Sequence, residues 1–187
     1  MWTRVAAGPV LLCVLAACSP PAAPPSPSPP PVTSSEVALG TDMPWAQLTL
    51  ALNERALKTF SLVRDRAADA RLVTLTGELT AGHTQENAQL QALLRQIGAP
   101  AENPHTSHDM PGMATADEVT SMSAARGEAF DKLFVDSLRK HLTQCQNLAH
   151  SMLQSGKLPD ALALAATIES TRQQSLARLA LWPAPQR

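Results

Sequence analysis

From Trp45 to Trp182 apolar side chains recur every third or fourth residue in four long stretches, a spacing that fits amphipathic helices and not strands. The first stretch passes through Trp45, Leu48, Leu52, Ala56, Phe60, Val63 and Ala67. The second uses Leu72, Leu75, Leu79, Leu90, Leu93 and Ile97 and is stopped by Gly98-Ala99-Pro100. A third runs from Phe130 through Phe134, Leu138, Leu142, Cys145, Leu148 and Met152 to Gly156. The fourth starts after Pro159 and carries Leu162, Ala165, Ile168, Leu176, Leu179 and Trp182 before Pro183. Each stripe covers one side of a helix, so none buries its apolar face alone. Short breaks at 66–71 and 155–160 fold the four into two helical hairpins, which pair as an all-α, up-down four-helix bundle. Between the hairpins, 98–128 is mostly loop, and Thr115-Ala116-Asp117-Glu118 reads as a capping box opening one short helix. With aromatics at 3% and no Tyr, the core is built mainly from Leu, Ala and Val.

The N-terminal end differs in kind. Arg4 precedes the apolar run Val5–Ala17, which is too short to span a bilayer, since a spanning helix needs roughly 20 residues. It fits the apolar region of a secretory signal. Its end, Leu15-Ala16-Ala17-Cys18, resembles a bacterial lipobox, in which Cys18 is lipidated on sulfur and becomes the new N-terminus. An ordinary signal peptide cut elsewhere is the alternative. Eight of the twelve residues from Pro20 to Pro31 are proline, which makes an extended tether. The expected organisation is therefore a signal peptide over 1–17, lipidated Cys18 and tether over 18–41, and the bundle over 42–183. The expected address is the extracytoplasmic side of a bacterial envelope, with the membrane as partner through acyl chains contributing about 0.8 kcal/mol per buried methylene. Cys13 leaves with the signal and Cys18 carries lipid, so Cys145 stands alone, read as a small buried residue.

Several function classes are excluded. Fifteen Lys+Arg against sixteen Asp+Glu give a formal charge of -1, with no basic run to meet nucleic acid. The sequence has no glycine-rich phosphate loop, nucleophile elbow, His-Glu-x-x-His or Cys-x-x-Cys. Di-iron chemistry in a bundle needs several inward carboxylates, and the stripes offer only Glu86. The chain is not expected to be an enzyme.

One gap-free shift of 89 positions superposes Asp42 on Asp131, Trp45 on Phe134, Leu75 on Leu164, Gln85 on Gln174 and Leu90 on Leu179. A single offset that aligns both helices of each hairpin suggests a duplication.

The segment Met110-Pro111-Gly112-Met113, the short capped helix and Gly127-Glu128-Ala129-Phe130-Asp131-Lys132-Leu133-Phe134 resemble the middle of the DUF305 (domain of unknown function) family. The resemblance covers about 42–182 and implies a ferritin-like four-helix fold, a secreted or lipid-anchored protein and, as in some members, bound copper. It also implies a His-His pair early in the first helix of each hairpin and a Gln-x-x-Glu late in the second. This chain departs from that signature. Leu52 and Asn53 stand at the first His-His positions, and His141 and Leu142 at the second. The Gln-x-x-Glu positions hold His83 and Glu86 in one hairpin, Arg172 and Ser175 in the other.

Two clusters are candidate metal sites. In the core, His83 and Glu86 lie three residues apart on one face, and His141 lies one turn after Leu138. With a two-fold along the bundle axis, helices one and three run parallel and these three side chains meet at one end, a set able to hold a divalent metal with an open position. The alternative is that Arg172, the counterpart of His83 under the 89-residue shift, pairs with Glu86 and replaces the metal charge. In the loop, His105, His108, Asp109, Met110, Met113 and, on the short helix, Met122 combine imidazole and thioether donors that suit copper, Cu(I) above all. Alternatively the methionines fill apolar gaps and both histidines are solvated. The expected function is a lipid-anchored extracytoplasmic metal-binding protein, most readily copper-handling. The alternative is a non-catalytic envelope structural or interaction module whose metal site has been lost.

Overall fold

The structure, a computed structural model, describes residues 40–182. The signal peptide, Cys18 and nearly all of the tether lie outside them. The helices are α1 (Asp42–Phe60), α2 (Val63–Arg66), α3 (Ala70–Gln96), α4 (Ala116–Ala124), α5 (Gly127–Ser155) and α6 (Pro159–Leu179). The four long ones are those the apolar spacing predicts. The first stripe does not continue unbroken to Ala67. The Leu62 amide turns to the Thr59 carbonyl, 3.1 Å away, and this tighter turn separates α1 from the four-residue α2. The short α4 opens with the expected capping box: Glu118 N–H donates to Thr115 Oγ1 at 3.2 Å, and Thr115 N–H to Glu118 Oε2 at 2.9 Å.

Two apolar clusters divide the core. One gathers Phe60 from the end of α1, Val63 from α2, Leu72 and Leu75 from the start of α3, Phe130 and Phe134 from the start of α5, and Leu179 from the end of α6. The other gathers Trp45 and Leu50, Leu90 and Leu93, Met152, and Leu164 and Ile168. The start of α1 thus meets the end of α5. The first and third long helices, α1 and α5, are antiparallel, not parallel as the sequence reading had it, and the axis relating the hairpins is perpendicular to the bundle. Each hairpin is up-down as expected, and one long crossover joins them in the ferritin-like manner.

The duplication leaves a mark at the helix starts. Asp131 on α5 accepts from the Ala68 N–H (3.1 Å) and Asp69 N–H (2.9 Å) at the head of α3. Asp42 on α1 accepts from the Lys157 N–H (3.1 Å) and Leu158 N–H (2.9 Å) at the head of α6. These positions all correspond under the 89-residue shift. In each case a carboxylate of one hairpin satisfies otherwise unpaired amides of the other and sits at the positive end of its helix dipole.

The crossover travels along α1. Asn103 Nδ2 donates to the Gln47 carbonyl (2.7 Å), Arg55 bridges Asp109 (2.9 Å) and the Ala114 carbonyl (3.2 Å), and Arg126 reaches the Asp65 carbonyl (3.2 Å). Midway, Met110-Pro111-Gly112-Met113 turns inward over α5. Gly112 has φ +86, and a Cβ there would lie 2.5 Å from Gln144 Cβ. Only glycine permits both that backbone and that approach.

Candidate functional site

Between the two apolar clusters lies a buried polar layer: Asn53 from α1, His83 and Glu86 from α3, His141 from α5 and Arg172 from α6. The sequence places it by interrupting the stripes near the middle of each helix. Glu86 pairs with Arg172 as expected, through Nη1–Oε1 at 2.9 Å and Nη2–Oε2 at 2.5 Å. Arg172 is 1% exposed and Glu86 6%, so both charges have left water, and a two-pronged contact of this kind is what makes such burial tolerable. Asn53 completes the clasp, donating from Nδ2 to Glu86 Oε2 at 3.1 Å and accepting from Arg172 Nη2 at 3.4 Å.

Glu86 is therefore committed to Arg172 and Asn53, and the expected three-ligand set of His83, Glu86 and His141 is not assembled. The two histidines do meet. His83 Nε2 and His141 Nε2 are 2.8 Å apart, and the far nitrogen of His83, Nδ1, lies 2.8 Å from the Leu79 carbonyl. The Leu79 oxygen can only accept, so His83 carries its proton on Nδ1 and offers the Nε2 lone pair inward; His141 Nε2–H then donates to it. Phe60 meets both rings edge-on, with centroids 5.2 and 6.1 Å away. Burial first, and then the Arg172 charge, holds His83 well below the ordinary imidazole range and His141 down to about 3. Both rings are neutral at neutral pH.

The sequence reading missed one donor. Cys145 Sγ lies 3.7 Å from His141 Nε2 and 3.8 Å from Nδ1. Burial pushes its thiol up to about 11, with the nearby Arg172 opposing in part, so it is protonated at neutral pH. The available signal was spacing: His141 and Cys145 stand four apart on α5, which puts them on one face. A narrow cleft of about 10 Å³ reaches His141 between Phe60, Ser137 and the Gly112 turn.

The loop candidates divide. Met113 is buried with Ala51, Leu52 and Cys145, and Met110 packs on the same cluster from a half-buried position. Met122 belongs to the separate cluster around Phe130, so it does not join them. The His105 and His108 rings are 6.1 Å apart, with His108 exposed, and Asp109 is held by Arg55. Among the described residues, no group of three or more His, Cys, Asp or Glu side chains is placed to hold a metal ion.

None of the described helices is long and apolar enough to cross a membrane. A comparison with curated proteins gave no match. Two solved structures share the fold. A Streptomyces coelicolor DUF305 protein, described as secreted, is 17% identical, with a TM-score of 0.69 over 76% of this chain and 91% of that one. A DUF305 fragment from Deinococcus radiodurans is 20% identical, with a TM-score of 0.67 over 81% of this chain and 96% of that one. The model of the family described as "Domain of unknown function (DUF305)" matches residues 42–182, from the Asp42 cap to the last turn after α6, and the chain belongs to that family.

Proposed function

We propose that this protein is a lipid-anchored, extracytoplasmic copper-binding protein of the bacterial envelope that buffers the ion or hands it on, without catalysing a reaction. The observation that carries the reading is the meeting of His83 Nε2 and His141 Nε2 at 2.8 Å inside the bundle. Neutral imidazoles are good ligands for copper, and a ring whose outer nitrogen is bound to a carbonyl, as His83 is to Leu79, has its inner lone pair aimed in advance. Of the four His-His positions of the family signature only that of His141 keeps a histidine in this chain: Leu52 and Leu142 pack in apolar clusters and Asn53 serves Glu86. The second imidazole comes from His83, at the Gln position of the first Gln-x-x-Glu. The lipobox-like Leu15-Ala16-Ala17-Cys18 and the proline-rich tether support anchoring, and a relative described as secreted supports an address outside the cytoplasm.

A second reading has its own observation. The Arg172–Glu86 pair fills the place of a metal-held carboxylate with an internal charge pair, as in a bundle kept only as an interaction module. Copper titration of the purified full chain separates the two. Specific binding that survives competition with a Cu(I) chelator supports the copper reading, and no binding leaves the module. For the anchor, Cys18→Ala should shift the protein from the detergent phase to the aqueous phase. Unchanged partitioning would remove the lipoprotein assignment.

A further inference from the structure

Independently of the metal reading, we infer that a cleft between α1, α3 and the crossover binds a short extended peptide with free ends, its carboxylate at Arg95 and its ammonium at Glu54. The cleft has a volume of about 530 Å³ and shares no residue with the His83–His141 layer. Its walls are Gln47, Leu50 and Glu54 of α1, Gln91, Leu94 and Arg95 of α3, and the stretch of crossover that begins at Ala99. Small-ligand sites commonly enclose roughly 300–1,000 Å³, so the size is that of a binding pocket. The crossover wall is held in place. Asn103 Nδ2 donates to the Gln47 carbonyl at 2.7 Å, and Asn103 Oδ1 accepts from the His105 N–H at 3.0 Å. Thr106 Oγ1 closes the turn by donating to the Asn103 carbonyl at 2.9 Å.

The polar groups facing this cleft are unpaired. Gln47 is 6% exposed, yet its side-chain amide has no hydrogen-bond partner among the described residues. A buried amide left without a partner is costly, and a ligand amide would satisfy it. Glu54, Arg95 and Glu102 likewise take no part in the ion pairs among the described residues. Buried Leu50 and half-buried Leu94 supply apolar surface between them. The Gln47 and Gln91 amides each offer a donor and an acceptor, which is what a peptide group pairs with.

The spacing of the charges sets the ligand's length. Asn53 meets Glu86 at 3.1 Å, which fixes the level of α1 against α3. From that level Glu54 lies one residue along α1 and Arg95 nine residues along α3 in the opposite direction, so their α-carbons stand roughly 15 Å apart along the bundle. Helical side chains lean toward the N-terminus of their own helix, so these two lean toward each other and bring their charges to roughly 10 Å. An extended chain rises roughly 3.3–3.6 Å per residue, so the gap matches a tripeptide. Glu54 and Glu102 against Arg95 leave the cleft with a net charge of -1, which favours a basic side chain on the ligand over an acidic one.

The test is isothermal titration calorimetry of the detergent-solubilised, metal-free full chain with the tripeptide Ala-Leu-Lys, its N-acetyl and C-amide forms, and Ala-Leu-Glu. The free tripeptide should bind, and blocking either end should weaken it by at least about 10-fold, the scale of one hydrogen bond to a charged group. Ala-Leu-Glu should bind more weakly than Ala-Leu-Lys. In Arg95→Gln the free acid and its amide should bind alike, at the affinity the parent shows for the amide. In Glu54→Gln the free amine and its acetyl form should bind alike. Arg95 is exposed and Glu54 half-buried, so both variants should fold, which circular dichroism checks. No binding of Ala-Leu-Lys at millimolar concentration by the folded parent overturns the proposal. So does binding whose dependence on the free ends persists unchanged in both variants. Neither result alters the outcome of the copper titration, so the two readings fail separately.

Discussion

Replacing Arg172 by Met retains a long, unbranched side chain but leaves the Glu86 carboxylate, 6% exposed, with Asn53 as its one remaining donor. Breaking a buried pair from one side costs about 3–5 kcal/mol, because the surviving charge stays desolvated. Domains of this kind are stable by about 5–15 kcal/mol in all, so the loss is a large fraction of the whole. With a urea dependence of about 2 kcal/mol per molar, the unfolding midpoint should fall by about 2 M. The double variant Glu86→Leu/Arg172→Met removes both charges and should lie within about 1 kcal/mol of the parent, or above it. Urea unfolding of parent, both single variants and the double variant closes the cycle. An Arg172→Met midpoint within about 0.5 M of the parent, or a double variant as unstable as the single, would refute the account of this layer.

Three further outcomes follow from the same structure. Because burial holds His141 down to about 3 while the unfolded chain titrates near 6.5, the unfolded state binds the extra proton below pH 6.5, so stability is full above that value and declines toward pH 3. His141 alone should account for about 2 kcal/mol between pH 6.5 and 4.5, and His141→Gln should flatten the urea-midpoint profile over that range; an unaltered slope contradicts it. Asp42→Ala and Asp131→Ala remove symmetry-related caps, and each should cost about 1 kcal/mol in urea unfolding; a large effect at one site and none at the other would break the equivalence. Gly112→Ala meets both a positive φ and the Gln144 side chain and should cost at least about 1 kcal/mol, read as a lowered thermal midpoint, whereas Gly77→Ala, with open space around it on α3, should be neutral or stabilising.

How much of this could be read in advance depends on how local the determinant is. The helices were legible because periodicity and stop signals such as Gly98-Ala99-Pro100 act within a few turns. The Glu86–Arg172 pair was legible too, since a charged residue inside an apolar stripe needs a partner and the 89-residue shift pointed to one. The direction of the second hairpin was not. A connection as long as 97–126 lets α5 start at either end of the bundle, and only the three-dimensional clusters decide. That orientation also determines that His83 meets His141 while Glu86 turns away. Cys145 was hidden by its own burial, sitting on the apolar stripe of α5 like any small core residue. The methionines of the loop and of α4 looked like one soft cluster in sequence, yet Met113 and Met122 pack in different apolar clusters.

The most direct measurement is the metal content of the full chain purified from the native envelope under reducing conditions, without added metal, read element by element. The account predicts copper in clear excess over zinc and iron, at about one ion per chain, and its loss in folded His83→Gln/His141→Gln. Protein that is folded yet carries no copper, or that carries zinc in both parent and variant, would contradict it.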